Sequence, residues 1–254
     1  MNTNNALLSG KVATITGASR GIGLATAELF VQHGAKVLLN GRDEKTLQAA
    51  CARINARHPD ACSYLAGDAA DMQVPQQLFD AAMSRYQRLD ITVCCAGIAA
   101  RTPTLDESVA EWNHVIQVNA TAAMLLAQLS LRHFAKQRSG KLVFVSSTAA
   151  KSVNLGASPS YGASKAMLVY LTRHYAAEFA PYGVNVNAIC PGATQTEIIT
   201  TWTPEHRQRV LDALPMGRMG TAQEMAQAIL YLSSPHSDYV NGESMMINGA
   251  RFMD

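Results

Sequence analysis

The sequence predicts an α/β fold: a doubly wound parallel sheet with helices on both faces, forming a single domain over residues 1–254. Three observations predict it. Short apolar runs rich in β-branched residues alternate almost throughout with longer segments of helical periodicity. A glycine-rich turn stands between the first such run and the first helical segment. No repeat, low-complexity tract or Pro/Gly/Ser linker divides the 254 residues, a length that α/β folds commonly fill with one domain. Strand–helix alternation implies parallel strands joined by right-handed crossovers, which puts helices on both faces.

The expected strands cover residues 12–16, 36–39, 63–65, 91–94, 142–145, 185–189 and 245–247. After the first strand, Leu24, Ala27, Leu29 and Phe30 recur at helical spacing. After the second, Leu47, Ala50, Cys51 and Ile54 do so, with Asp43 placed to cap their helix. The longest helices are expected over 115–134 and 163–179, and Gly183 sits where the latter must stop. Residues 194–220 are the longest stretch without strand character, with a short helix around 204–214. Ligands of α/β sheets bind beyond the carboxyl ends of strands. The segment follows such an end and is the candidate substrate lid.

Composition narrows the function. Hydrophobic residues make up 48% and charged residues 16%, enough apolar material for a large core and too little charge for disorder. The net charge is +2 with scattered basic residues, which argues against a nucleic-acid partner. Residues 1–5 lack the basic start and apolar core of a signal peptide. No apolar run approaches membrane-spanning length, and even 122–131 is interrupted by Gln128 and Ser130. Five cysteines without framework spacing fit a reducing cytoplasm, and adjacent Cys94 and Cys95 read as ordinary buried thiols. No His/Cys/carboxylate set has metal-ligand spacing. The expectation is a cytoplasmic protein with no membrane segment and no metal.

Thr16-Gly17-Ala18-Ser19-Arg20-Gly21-Ile22-Gly23 directly follows the first strand and opens the first helix. Gly17 permits a tight turn, Gly21 lets backbone approach a pyrophosphate, and Gly23 allows close helix–sheet contact. The helix N-terminus offers free N–H groups and a positive dipole end to phosphates. Glycine spacing alone is weak evidence; its place in the first strand–turn–helix unit favours nucleotide binding. This is the Rossmann-like setting.

A second motif is Tyr161-Gly162-Ala163-Ser164-Lys165, a phenol and an ammonium four residues apart. On a helix both share one face. A tyrosine hydroxyl is a poor proton shuttle near neutrality unless a nearby cation favours its phenolate. A charge ~4 Å away supplies about 4 kcal/mol at an effective dielectric near ~20, but only about 1 kcal/mol in bulk water. The pair is useful only in a partly desolvated cleft.

The Gly-x-x-x-Gly-x-Gly spacing and Tyr161-x-x-x-Lys165 together resemble the short-chain dehydrogenase/reductase family. The resemblance runs from Leu8 essentially to the C-terminus. It includes Leu89-Asp90-Ile91 leading to Ala96-Gly97, Asn119 on a long helix, Ser146-Ser147 ending a strand, Pro191-Gly192-Ala193-Thr194-Gln195-Thr196, and Asn241-Gly242-Glu243 with Asn248-Gly249. It implies that Tyr161 is the general acid in carbonyl reduction and the base in alcohol oxidation. It further implies that Lys165 holds the nicotinamide ribose, that Ser147 stabilises the reacting oxygen, and that Asn119 positions a water linking Lys165 to solvent. Taken singly, Tyr161 could be a packing residue, Lys165 a solvated charge, Ser147 a turn cap and Asn119 a backbone tie at a helix kink. Four matching positions in the expected order favour the joint functional reading. Two departures stand out. Cys94-Cys95 replaces the usual pair of asparagines, leaving strand-end bonding open, and the segment between Ser147 and Tyr161 is about one residue longer than usual. Thr148 therefore competes with Ser147, which strand-end register favours.

Cofactor choice rests on Leu39-Asn40-Gly41-Arg42 at the end of the second strand. An NAD site usually has an aspartate there for the ribose hydroxyls. Gly41, Arg42 and the loop's Arg20 suit a 2′-phosphate instead. NADP(H) is the expected cofactor and NAD(H) the less favoured one, in which Asp43 would serve the ribose. By the resemblance, Asp68 contacts adenine; Ala96, Gly97, Pro191, Gly192, Thr194 and Thr196 complete the cofactor contacts, the two threonines at the carboxamide end.

The expected function is hydride transfer between nicotinamide and a small ketone, sugar or polyol. One alternative is a 3-oxoacyl carrier-protein reductase. Arg138 matches one of the paired carrier-docking arginines of such enzymes, but Tyr182 stands at the other position. A rival of another class is a non-catalytic nucleotide sensor on the same fold. The resemblance also implies a homo-oligomer, expected to be a tetramer.

Overall fold

The computed structural model describes residues 6–195 and 203–253. Its strands are β1 (Val12–Ile15), β2 (Lys36–Gly41), β3 (Cys62–Ala66), β4 (Ile91–Cys94), β5 (Gly140–Val145), β6 (Val184–Pro191), β7 (Thr194–Gln195), β8 (Gly220–Thr221) and β9 (Ser244–Ile247). Seven of them form one parallel sheet in the order β3-β2-β1-β4-β5-β6-β9. β1, β4 and β6 are buried throughout, which explains why they read as unbroken apolar runs. The chain winds outward from β1 to β3 and then returns to β4 on the other side of β1. That reversal opens a crevice at the carboxyl ends of β1 and β4, the usual ligand site of such sheets.

The helices are α1 (Gly21–Gln32), α2 (Glu44–Asn55), α3 (Val74–Tyr86), α4 (Val109–Ile116), α5 (Ala122–Gln137), α6 (Pro159–Phe179), α7 (Pro204–Asp212) and α8 (Ala222–Ser233). Period-two alternation along the strands divides the interior into two cores. Ile15, Leu39, Val93 and Val143 pack with Phe30, Leu47 and Ile229 of α1, α2 and α8. Leu38, Leu142, Phe144 and Val186 pack with Leu78, Leu126, Phe134 and Leu168 of α3, α5 and α6. Each such fully buried large apolar side chain contributes ~1.5–3 kcal/mol of transfer free energy.

Asp43 caps α2 as expected, its Oδ1 accepting from Thr46 N at 2.6 Å. Hydrogen bonds from Thr46, first from its side chain and then from its backbone N–H, hold the carboxyl below its ordinary range. Gly183, at φ 74°, ends the turn after α6, and β6 starts at the next residue. Other expectations need correction. The catalytic-motif helix begins at Pro159, not at residue 163, because Ser158 caps it and proline suits its first position. The helix expected over 115–134 starts at Val109, where Ser108 Oγ accepts from Glu111 N at 3.1 Å. It passes through a π-helical turn, Gln117–Thr121, before continuing as α5. Val109–Gln137 meets the length and hydropathy of a membrane-crossing helix by composition alone, but 56% of its most apolar window is buried in the fold, as in a core helix. α3 and α8 add two helices to those expected from sequence periodicity.

Within residues 194–220, the two-residue strands β7 and β8 pair in parallel, too short to leave a pattern in sequence. They join the two ends of the candidate lid. Beside them Arg218 meets Glu224 at 2.6 Å, and Thr221 and Glu224 form a reciprocal capping box on α8.

Candidate active site

On the nucleotide side the site is shaped by absent side chains. Gly17 has φ 63°, and a Cβ there would lie 2.8 Å from Ala96 Cα, across the crevice on the segment after β4. A Cβ on Gly23 would lie 2.5 Å from Gly17 O, so this glycine packs against its own loop rather than against the sheet as expected. The loop is pinned by Ala18 N donating to Asn40 O at 2.8 Å. α1 then starts at Gly21 without side-chain capping at Arg20, leaving its first turn open to a ligand. Arg20 is exposed, while Ile22 lies half-buried against the core.

Gly41 ends β2 directly over this loop. A Cβ at 41 would stand 3.2 Å from both Cβ and Oγ of Ser19, so an aspartate there would crowd the loop. Asn40 turns inward, its Nδ2 donating to Leu65 O at 3.1 Å and Gly67 O at 3.3 Å. Arg42 is exposed, with no ion-pair or hydrogen-bond partner among the described residues. Asp68 Oδ1 accepts from Ala70 N at 2.9 Å, which fixes the carboxylate at the rim. A small, partly open cleft lies beside it, lined in part by Thr16, Asn40, Ala69, Ala96 and Val118.

The strand end that lacks asparagines is held by Thr16. Its Oγ1 accepts from both Cys95 N and Ala96 N at 3.0 Å. Burial pushes the Cys94 thiol up to about 12. Burial also pushes Cys95 up to about 11, against the opposing pull of the Lys165 ammonium. Both therefore stay protonated near neutrality, as structural thiols do.

The reaction side is shaped by polar side chains. Ser147 ends the run after β5 and caps a 3₁₀ turn, Thr148–Ala150. Its Oγ accepts from Ala149 N at 3.1 Å, leaving its own O–H to donate. That turn packs on α6 beside Tyr161: a Cβ on Gly162 would come 3.4 Å from Ala149 O. Tyr161 and Lys165 do share a helical face, with Lys165 Nζ 6.0 Å from the Tyr161 ring centroid. Lys165 is buried, 5% exposed, so its charge acts in a desolvated setting. Both its ends are fixed at the end of β5, Nζ donating to Val145 O at 2.9 Å and its carbonyl accepting from Oγ of the next residue, Ser146, at 2.8 Å. Among the described residues no carboxylate pairs with it, and ammonium donors remain for a ligand.

Asn119 lies on the π-helical turn, fully buried. Its Oδ1 accepts from Ile98 N at 2.8 Å; its Nδ2 donates to Ile98 O at 3.0 Å and Ser164 Oγ at 3.0 Å. Ser164 Oγ in turn donates to Tyr161 O at 2.7 Å. The amide thus ties the segment after β4 to the helix of Tyr161, as the backbone-tie alternative had it, while staying at the site. A Cβ on Gly97 would sit 3.2 Å from Lys165 Nζ and 3.3 Å from Asn119 Oδ1. Glycine there keeps both groups open to each other.

At the end of β6, Pro191 is buried, Gly192 N donates to Ile247 O at 2.9 Å, and Thr194 Oγ1 donates to Gly192 O at 3.0 Å. Thr196 lies outside the described residues. Sequence reasoning missed Thr16 Oγ1, Ser164, Ser146 and the Ser158 cap. Ser158-Pro159 is a legible helix start; the other three act through partners on other elements, Thr16 on the segment after β4, Ser146 on α6 and Ser164 on the π-helical turn, which no local pattern records.

A family model described as enoyl-(acyl carrier protein) reductase matches residues 17–249. The chain is 32% identical over 245 residues to a 3-oxoacyl-[acyl-carrier-protein] reductase of Aquifex aeolicus, covering 96% of this chain and 98% of the relative. It is 34% identical over 255 residues to a 2,3-dihydroxy-2,3-dihydro-p-cumate dehydrogenase of Pseudomonas putida, covering 99% and 98%. The crystal structure of a short-chain type dehydrogenase/reductase from Mycobacterium marinum superposes with a TM-score of 0.93 at 30% identity, covering 99% of each chain.

Proposed function

This chain belongs to the short-chain dehydrogenase/reductase family, and we propose that it is an NADP(H)-dependent oxidoreductase acting on a carbonyl or secondary alcohol of a small ketone, sugar or polyol. The observation that carries the reading is the arrangement of Ser147, Tyr161, Lys165 and Asn119 on adjoining elements: Ser147, Lys165 and Asn119 are held by their own hydrogen bonds, and Lys165 Nζ lies 6.0 Å from the Tyr161 ring centroid. When bound, the nicotinamide cofactor supplies or accepts the hydride. Ser147, its lone pair engaged by Ala149 N, donates a hydrogen bond to the reacting oxygen and keeps its proton. Tyr161 gives that oxygen a proton in reduction and takes one in oxidation. Lys165 sets a buried ammonium beside the Tyr161 ring and holds the ribose with its remaining donors. Asn119 fixes Ser164 and Ile98 around them and borders the proton route from Lys165.

For the cofactor, Gly17, Gly21, Gly23, Ala96, Gly97, Pro191, Gly192, Thr194 and Thr196 form the dinucleotide contacts, with Asp68 at adenine. The close fit of Gly41 to Ser19, with Arg42 exposed beside it, supports a 2′-phosphate over a bare ribose hydroxyl. Residues 194–220 are proposed as the substrate lid, hinged where β7 meets β8.

The relatives favour one second reading, a 3-oxoacyl carrier-protein reductase. Against it, Tyr182 replaces the second docking arginine, and Arg138 lies over its ring at 5.5 Å. The protein is further proposed to be cytoplasmic and homotetrameric. Exposed Trp112, Met167, Tyr170 and Tyr239 on the α4–α6 and C-terminal surfaces support association, and sedimentation as a monomer at working concentration would refute it.

The deciding experiment is a panel of small ketones, sugars, polyols and an acyl-carrier thioester, run in parallel with NADPH and NADH. The expected result is turnover of a small substrate with NADPH. Turnover of the thioester alone would favour the second reading, and tight NADPH binding without any turnover would leave a nucleotide sensor.

A further inference from the structure

We infer that Glu107 is a positioning residue for Tyr161: reaching over from the segment before α4, its carboxylate completes the first turn of α6. The inference rests on the oxidoreductase reading for its kinetic consequence, though not for its structural one. The donors of that turn can be accounted for one by one. Pro159 has no N–H. Ser160 N donates to Glu107 Oε2 at 3.3 Å, and Ser160 Oγ donates to Glu107 Oε1. Tyr161 N is served by Ser158, through its carbonyl at 3.1 Å and its Oγ at 3.4 Å. Ser158 and Ser160 also share a hydrogen bond of 2.9 Å, and both are buried, at 2% and 0% exposure. Glu107 is thus the only outside group among the described residues that serves the backbone of this turn, one residue before the phenol.

The carboxylate is itself held in place. Glu107 immediately precedes Ser108, the cap of α4, and its own N–H donates to Pro103 O at 3.1 Å. The N-termini of α4 and α6 therefore meet at one negative charge, which suits both positive dipole ends. Two further bonds tie the same segment to the reaction side, Ser158 N donating to Ala100 O at 2.9 Å and Asn119 bonding Ile98. Residues 98–107 run along the crevice beyond β4, so the ties fix this wall of the cleft and the catalytic helix relative to each other. Losing the Glu107 tie leaves a buried N–H without a partner and frees the turn that aims Tyr161. Side-chain placement of this kind affects turnover more than cofactor affinity, because the glycine loop proposed to hold the pyrophosphate opens α1, across the crevice from this turn.

The test compares Glu107→Ala and Glu107→Gln with wild type. Amide hydrogen exchange, which needs no substrate, should show faster exchange at Ser160 and Tyr161 in Glu107→Ala. With the best substrate of the panel, kcat should fall on the order of tenfold, with the Kd for NADPH unchanged within about twofold. Glu107→Gln keeps an acceptor oxygen and should recover most of the kcat and the protection. Unchanged exchange at Ser160 and Tyr161 in Glu107→Ala would overturn the inference. So would a kcat within about twofold of wild type, or a parallel loss of kcat and NADPH affinity. If wild type turns over nothing, the oxidoreductase reading fails, and the exchange experiment still decides whether Glu107 holds the turn.

Discussion

On the nucleotide side of the cleft the decisive features are missing Cβ atoms at Gly17, Gly23 and Gly41, whereas on the reaction side they are the polar groups of Ser147, Asn119, Tyr161 and Lys165. The first side gains its function from close backbone approach, so almost any added atom damages it. By the same reading the second gains it from side chains held by hydrogen bonds or, for Tyr161, by the neighbouring Lys165, so atoms removed there damage it while the backbone stays put. The contrast separates binding from chemistry within one sheet, and substitutions can test how clean that separation is.

Ser147→Ala should have the largest effect of four substitutions that probe it. Removing one hydrogen-bond donor from a developing oxyanion costs ~10²–10³ in kcat, and steady-state kinetics should show this with NADPH affinity retained. Loss of NADPH affinity as well would mean that the two sides are not separable. Gly23→Ala comes next and should act oppositely. Its Cβ would press on Gly17 O at 2.5 Å, lowering stability by ~1–3 kcal/mol in urea unfolding and weakening NADPH binding. Normal affinity would show that the loop gives way freely. Arg42→Ala should be milder, reducing the preference for NADPH over NADH about tenfold, as expected for one charge-assisted hydrogen bond. An unchanged ratio of kcat/KM values would remove Arg42 from the cofactor site.

The smallest effect concerns the boundary between the two sides. Folding raises the Cys94 and Cys95 thiols to about 12 and about 11, whereas unfolded thiols titrate near ~8.5. The folded state then binds more protons in the interval. This contribution to stability is fully present below the unfolded value and is lost as pH rises through the folded ones. Cys94→Ala/Cys95→Ala should lose less stability than wild type between about pH 8.5 and pH 10.5 in urea unfolding. Equal slopes would contradict the burial account.

The sequence is most informative where function depends on local order. The glycine loop is legible because a strand, a tight turn and a helix start occupy eight consecutive residues, and Tyr161 with Lys165 because one helical turn separates them. The two-core sheet follows from strand–helix alternation for the same reason. What sequence hides is contact between distant segments. The grip of Thr16 on Cys95 and Ala96 spans the crevice, Asn119 reaches Ser164 from a π-helical turn, and Glu107 reaches Ser160 across 53 positions. No periodicity records those pairings. α8 is a different case: its Thr221-x-x-Glu224 capping box is a local signal. α3 ends instead at Gln87 with φ 55°, without the glycine that usually marks such a stop.

The central claim, that this chain binds nucleotide through its glycine-lined side and does its proton chemistry through Tyr161, is tested most directly on Tyr161→Phe. NADPH binding by fluorescence titration and substrate reduction would be measured on the same preparation. The predicted result is a Kd for NADPH within about twofold of wild type and a turnover lower by ~10²–10⁴-fold, the range for loss of a positioned general acid. Turnover close to wild type, or binding and turnover lost together, would contradict it.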